Sequence, residues 1–359
     1  MAIQAAFTLN PNEIFASIAN MIISQEVFAD NLGKHQTLVD KARVDGGLYG
    51  DKKLYYATDV LESHAWGADS EAANLLALDR PADPEVQDIT LDIFRQIRLT
   101  VDNYLSKRAW STEGAFSSFQ SVMLGWMRET KRVYDGTLYN VFIGTSVSPK
   151  AAQNREIAVK GLTDVKEEAM LIAQGLADLL VEMGDYSREF NDYEFLRSYA
   201  EEGIKVIWNS KFVNKIRKVD LPTIFHKEGL VDKFEEEVLP ARYFGAKNGA
   251  QVAAANNDGS YRSVLEKDYT VGGVTTHVFP GDLIPAGVII AKGEGYAEDA
   301  DVICKVVVKL PPYMSAFEVG TSFFNPRSLT ENHYLTFGHN TLEYLKNYPF
   351  ITVKAVSAE

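Results

Sequence analysis

Cysteine is almost absent: Cys304 is the single one in 359 residues. An intramolecular disulfide is therefore excluded, and the fold must rest on its core. Long apolar runs are also missing. No stretch reaches the ~18 apolar residues of a membrane-spanning helix. Met1-Ala2-Ile3-Gln4 opens without the positive charge and apolar run of a signal peptide. Positive charge is in deficit, with 36 Lys+Arg against 49 Asp+Glu and a net charge of −13. Holding duplex phosphate needs clustered cations, so this balance argues against a dedicated nucleic-acid reader. What remains is ordinary globular composition, 46% hydrophobic and 24% charged. At ~150 residues per domain the length suggests two to three folded units. A chain this long can bury a core without metals or staples. The expectation is a soluble chain made in a reducing cytoplasm.

Catalytic signatures are missing as well. Gly46-Gly47-Leu48-Tyr49-Gly50-Asp51-Lys52 has the wrong spacing for a phosphate loop and no hydroxyl after the lysine. Gly293-Glu294-Gly295 lacks the third glycine of a dinucleotide turn, and no Gly-x-Ser-x-Gly elbow occurs. The six histidines, His35, His64, His226, His277, His333 and His339, form no His-Glu-x-x-His and no i, i+4 pair. His333 and His339 read as ordinary polar residues near a loop, and His226 as packed or surface-exposed. Cys304 sits in the apolar run 302–308 and reads as a buried, inert thiol, with Lys305 facing the opposite side of a strand. Glu235-Glu236-Glu237 with Asp232 reads as a solvated charge run, because consecutive carboxylates share no helix face. Phe116, Phe119 and Trp126, at helical spacing beside Val122 and Met123, read as core rather than as a base-stacking platform. Arg128, Lys131 and Arg132 read as a helix end compensating its dipole. No catalytic residue, cofactor or metal site is expected.

Patterning gives the elements. Asn10, Pro11 and Glu13 can open a first helix whose stripe is Ile14, Ile18, Met21 and Ile22. Leu54, Tyr56 and Thr58 alternate next to the turn glycines 46, 47 and 50, which suggests a strand. Ile89, Ile93, Ile97, Val101 and Tyr104 suggest a helix starting near Asp83-Pro84, and a second helix is expected from Ser111. Asp135-Gly136 suggests a turn into a strand over residues 137–147. Helix is expected again from Thr163 to Gly184, with Ala169, Ile172, Leu176, Leu179 and Met183 inward. Residues 204–208 read as a strand, Asn209 as the cap of a short helix with Phe212 and Ile216, and residues 302–308 and 350–356 as sheet strands. Helices early and strands late give an α+β class.

Four stretches, taken in order, resemble tailed-bacteriophage major capsid (head) proteins. They are residues 43–66, RVDGGLYGDKKLYYATDVLESHAW; residues 104–144; residues 323–337, FFNPRSLTENHYLTF; and residues 346–354, KNYPFITVK. The resemblance implies the Hong Kong ninety-seven type shell fold. Its parts would be an N-terminal arm over residues 1–42 and an extended loop over 43–82. A peripheral domain with a spine helix would take 83–160, the spine lying within 84–133. An axial domain would take 161–300, and a strand-rich part closing both domains 301–359. The implied function is a structural shell subunit and not an enzyme. It would self-assemble into pentamers and hexamers around double-stranded DNA, without sequence-specific binding and without a membrane. Ile14, Ile18, Leu54 and Tyr56 are then contact residues, and Gly46, Gly47 and Gly50 supply hinge freedom. The chain would belong to the virion and assemble in the host bacterial cytoplasm, with separate scaffold, portal and decoration proteins as further partners. No charged coiled-coil extension precedes the arm, and no Lys/Asn pairing suggests covalent cross-linking.

Two other readings stay open. An encapsulin-like nanocompartment shell shares the fold and encloses enzyme cargo. A soluble α+β cytoplasmic enzyme with dispersed carboxylates would instead show a deep pocket with shifted pKa values.

Overall fold

The computed structural model describes residues 38–45, 52–63, 80–102, 113–216 and 235–358. In chain order it begins with α1 (Leu38–Ala42), β1 (Arg43–Asp45), β2 (Lys52–Ala57), β3 (Glu85–Asp102) and α2 (Glu113–Thr145). Then come β4 (Asn154–Lys160), α3 (Val165–Gly184), β5 (Lys205–Asn209), α4 (Ser210–Ile216) and β6 (Glu235–Leu239). Five short strands follow: β7 (Gly245–Lys247), β8 (Arg262–Ser263), β9 (Lys267–Val271), β10 (Val274–Val278) and β11 (Gly295–Glu298). The last four are β12 (Val302–Val307), β13 (Tyr313–Asn325), β14 (Thr330–Asn340) and β15 (Phe350–Ser357). The chain divides into two compact units. The first holds residues 1–51, 90–139 and 313–341, and the second holds residues 52–89, 140–312 and 342–359. The first helix expected at Asn10 lies outside the described residues.

The first unit is built on the strand order β1-β13-β14-β3. β13 and β14 form a long antiparallel hairpin closed at Asn325↔Thr330, and β14 pairs antiparallel with β3. The region from Glu85 to Asp102 is therefore strand, not the expected helix. Ile89, Ile93, Ile97 and Val101 are spaced by four, which is also twice the strand period of two. Leu91 and Leu99 share that row, broken once by Arg95, with Asp92, Phe94, Gln96, Arg98 and Thr100 turned to solvent. A helix would have scattered these residues around its axis.

The second correction concerns α2. It runs unbroken through Asp135-Gly136 to Thr145, where a turn and a strand over 137–147 were expected. Its 33 residues span about 50 Å. The long helix expected within 84–133 thus starts at Glu113 and continues past that window. Nearly every residue from 138 to 146 is buried. A helix wrapped on all sides loses its polar stripe, so its sequence reads like a buried strand. Lys131 and Arg132 consequently lie mid-helix, not at a helix end.

The second unit centres on a mixed five-stranded sheet in the order β4-β15-β12-β5-β6. α3 follows its N-cap, Asp164, whose side chain accepts the Lys166 N–H at 2.9 Å. It buries Ala169, Ile172, Leu176, Leu179 and Met183 as the 3.6-residue pattern predicts. Asn209 Oδ1 accepts the Lys211 N–H at 3.0 Å and caps α4. Ile172, Leu176, Leu179 and Met183 pack with Val206, Trp208, Phe212, Cys304, Val306, Ile351 and Val353 into one core. A smaller cluster joins Val141 of α2 to Tyr243, Val264 and Tyr296. There the end of α2 meets the chain so closely that a Cβ on Gly144 would fall 2.1 Å from the Tyr243 carbonyl oxygen. Only glycine fits that position.

Candidate assembly surface

The sequence-level chemical candidates resolve into structural roles. Cys304 is fully buried, and desolvation pushes its thiol far above the ordinary range, so thiolate chemistry is closed to it. Lys305, its neighbour on β12, faces the other side of the sheet and is also fully buried. Its Nζ donates to the Ser146 carbonyl and to Thr352 Oγ1, each at 2.8 Å. Ser146 follows the last residue of α2, so the amine satisfies a carbonyl at the negative end of that helix. Glu235-Glu236-Glu237 lies on β6, an edge strand, with Glu235 and Glu236 exposed as a solvated run; Glu235 pairs with Lys205, and Glu236 accepts Trp208 Nε1–H at 3.2 Å. Trp126 lies on α2 half-buried, while the side chains of Phe116 and Phe119 are outside the described residues. Asp232, His35, His64 and His226 are outside them too.

Two histidines expected as ordinary polar residues near a loop lie within a strand that follows a hairpin turn. His333 and His339 stand on β14, six residues apart and so on one side of the strand. His333 lies 3.8 Å from Glu331. His339 is buried, and its Nδ1 lies 2.9 Å from the Asn340 carbonyl, which can only accept. Nδ1 therefore carries the proton, and Nε2 accepts from Tyr134 of α2 at 2.8 Å. Burial lowers the His339 pKa and keeps the ring neutral. The next residue of α2, Asp135, is 1% exposed and gathers three donors. Tyr313 Oη–H reaches it at 2.5 Å, Lys131 Nζ at 3.0 Å and Arg43 Nη2 at 3.4 Å. The residue that reads as a turn in the sequence is thus the anchor that docks α2 on β13.

His277 is a third case. It projects from β10 with Nδ1 2.5 Å from Asp268 and Nε2 2.8 Å from Glu266. Both neighbours are carboxylates, so the ring that satisfies both is the imidazolium. Asp268 foremost raises its pKa. Among the described residues no group of three or more His, Cys, Asp or Glu is placed to hold a metal ion. Among them, too, no helix is long and apolar enough to cross a membrane.

The exposed apolar side chains mark a different kind of surface. On β2, Tyr55 and Ala57 turn inward, with Lys309 Nζ 5.8 Å from the Tyr55 ring centre. Leu54 and Tyr56 stand on the opposite face, 46% and 65% exposed. Lys52 on that face pairs with Asp88 at 2.5 Å. In the first unit, Val319, Phe323, Phe324 and Leu329 are exposed on the β13–β14 hairpin, and residues 319–325 carry no charge. A groove of about 440 Å³ beside it is lined by Met127, Arg128, Gly320, His333 and Leu335. Of the sequence-predicted contact residues, the structure brings Leu54 and Tyr56 to one face. Ile14, Ile18, Gly46, Gly47 and Gly50 lie outside the described residues. A charge-free stretch of strand with exposed aromatics, such as residues 319–325, is the kind of surface to which another chain can add.

No family model matches the chain, and no curated protein matches it. Solved structures do. The capsid structure of Staphylococcus phage Andhra superposes with a TM-score of 0.59 and 10% identity, covering 89% of this chain and 84% of that one. A chain of the structure of the head fibre and inner core protein gp22 of native bacteriophage P68 gives 0.58 and 10%, over 88% and 83%. The chain has the phage capsid fold. This is the α+β, Hong Kong ninety-seven type architecture that the resemblance implied. At such low identity the capsid fold is shared as a backbone path, and side-chain roles must be argued from this chain alone.

Proposed function

We propose that the chain is a structural subunit of an icosahedral viral capsid, self-assembling into pentamers and hexamers that enclose double-stranded DNA. One observation carries this reading, the likeness to the Andhra phage capsid over 89% of the chain. The surface agrees with it. Leu54 and Tyr56 are costly to leave in water and are offered on a strand whose other face is half-buried at Lys53 and Tyr55 and buried at Ala57. They are proposed contact residues, together with Ile14, Ile18 and the hinge glycines 46, 47 and 50. In domain terms residues 1–42 are the arm, 43–82 the extended loop and 83–160 the peripheral domain, with α2 as its spine. Residues 161–300 form the axial domain, and 301–359 close both. The role is structural and not enzymatic. The particle is a virion assembled in the host cytoplasm, with scaffold, portal and decoration proteins as separate partners. The net charge of −13 suits a wall that confines DNA without gripping it.

Electron microscopy of the chain, expressed alone and with its neighbouring genes, tests this. Uniform icosahedral shells, or rings of five and six subunits, are the expected result, and DNA inside them separates a virion from a cargo compartment. Monomers or dimers under every salt and co-expression condition would overturn it.

A further inference from the structure

β2 ends in an irregular segment that one carboxylate holds in place. Asp59 Oδ1 accepts the N–H of Leu196 at 2.9 Å and that of Val60 at 2.8 Å. Asp59 Oδ2 takes Arg188 Nη1 at 2.5 Å, and the same nitrogen donates to the Glu194 carbonyl at 2.8 Å. Arg197 Nη2 adds a bond to the Thr58 carbonyl at 2.5 Å. The Arg188 guanidinium, with the two backbone amides, brings the Asp59 carboxyl down to about 2.

The receiving loop is built to present these donors. Ser187 and Arg197 exchange backbone hydrogen bonds at 2.9 and 3.0 Å. The Asn191 side chain accepts the Phe195 N–H at 2.9 Å and donates to the Phe195 carbonyl at 2.7 Å. Glu194 sits at φ 59°, a left-handed conformation that is costly for a side-chain residue, and its carboxylate pairs with Lys150. Strain of this kind persists where surrounding structure over-determines it. The clamp secures little apolar burial of its own: Val60 and Leu61 beyond it are exposed, as are Leu54 and Tyr56 before it. An ion pair, several backbone bonds and a strained residue are thus used to aim an exposed apolar segment, not to bury it.

We propose that Asp59, with Arg188 and the Leu196 amide, is a positioning residue for assembly. It fixes how β2 and residues 58–61 face a second copy of this chain before that copy arrives. A segment ordered in advance does not lose that freedom on association, so contact is tighter and its direction is set. The partner in this inference rests on the capsid reading, whereas the clamp rests on the contacts above.

The test uses the full chain with Asp59→Ala, Asp59→Asn and Arg188→Gln, and with Arg188→Lys as the conservative variant. Hydrogen exchange before assembly reads the clamp, and electron microscopy reads its consequence. Exchange at Leu196 and residues 58–61 should rise by about tenfold or more in the Asp59→Ala and Arg188→Gln variants, with the melting temperature within about 3 °C of wild type. Their particles should be heterogeneous in size or open, and Arg188→Lys should restore part of the uniformity. Unchanged exchange overturns the clamp. Faster exchange with wild-type particles overturns its role in assembly and leaves the capsid reading standing. Failure of the wild-type chain itself to form particles overturns the capsid reading and the second copy together, whatever the exchange shows.

Discussion

Lys305 shows how far a single residue departs from its type. Lysine is rarely buried, because desolvating an ammonium is expensive. Here burial, foremost, lowers its pKa from 10.5 to about 7. The sequence placed it on the face opposite Cys304, as found, but could not show that the end of α2 would lie across that face. The consequence for stability has a definite sign. Between about pH 7 and 10.5 the unfolded chain binds a proton that the folded chain does not, so stability rises with pH through that window. Below pH 7 the amine is charged in both states and the dependence flattens. Lys305→Met keeps the length and removes the titration. The urea midpoint of wild type relative to Lys305→Met should therefore climb from pH 7 to pH 10. A parallel pair of curves would mean that Ser146 and Thr352 hold the charged form as well as water does.

At the scale of elements, success and failure in reading the sequence have separate physical causes. α3 and α4 fall where pattern and caps place them, and β5, β12 and β15 where short β-branched apolar runs mark strands buried on both faces. β3 fails because a spacing of four satisfies both periods, and Leu91 and Leu99 needed equal weight. α2 begins two residues after the helix start read at Ser111, but its continuation past Asp135 was missed, because burial on every side erased its stripe there and Asp135, a turn former by type, is consumed by Tyr313, Lys131 and Arg43. The β13–β14 connection turns at Asn325-Pro326, where Asn325 Oδ1 accepts the Arg327 N–H at 3.1 Å. It holds one oddity. Leu329 lies at φ 52° and is exposed, a conformation that favours glycine. Leu329→Gly relieves that strain, partly offset by the greater freedom of glycine in the unfolded chain. The unfolding midpoint of the unassembled subunit should rise, by roughly 0.5–1 kcal/mol in stability. No gain would mean that the leucine side chain makes a compensating contact within the subunit.

The whole molecule is where the sequence said least about its site. Leu54 and Tyr56 were legible as one face of a strand because their apolar alternation stood beside turn glycines, and the structure leaves that face exposed. The Asp59 clamp was not, since Arg188 and Leu196 lie more than a hundred residues away and no local pattern joins them. Net charge was legible from composition, and it bears on how copies meet. Each copy carries −13, so two copies repel over the Debye length, about 30 Å at 0.01 M salt and about 10 Å at 0.1 M. If the contacts are the apolar Leu54 and Tyr56 side chains, screening removes the repulsion and leaves the attraction intact, because burial of apolar area does not depend on charge. The assembled fraction, followed by light scattering at fixed protein concentration, should rise from 0.01 M toward about 0.3 M salt and then level off once the Debye length falls below the spacing of surface charges. A fall over that range would instead mean that ion pairs between subunits, which salt weakens, hold the contact and that the apolar face of β2 is not where copies meet.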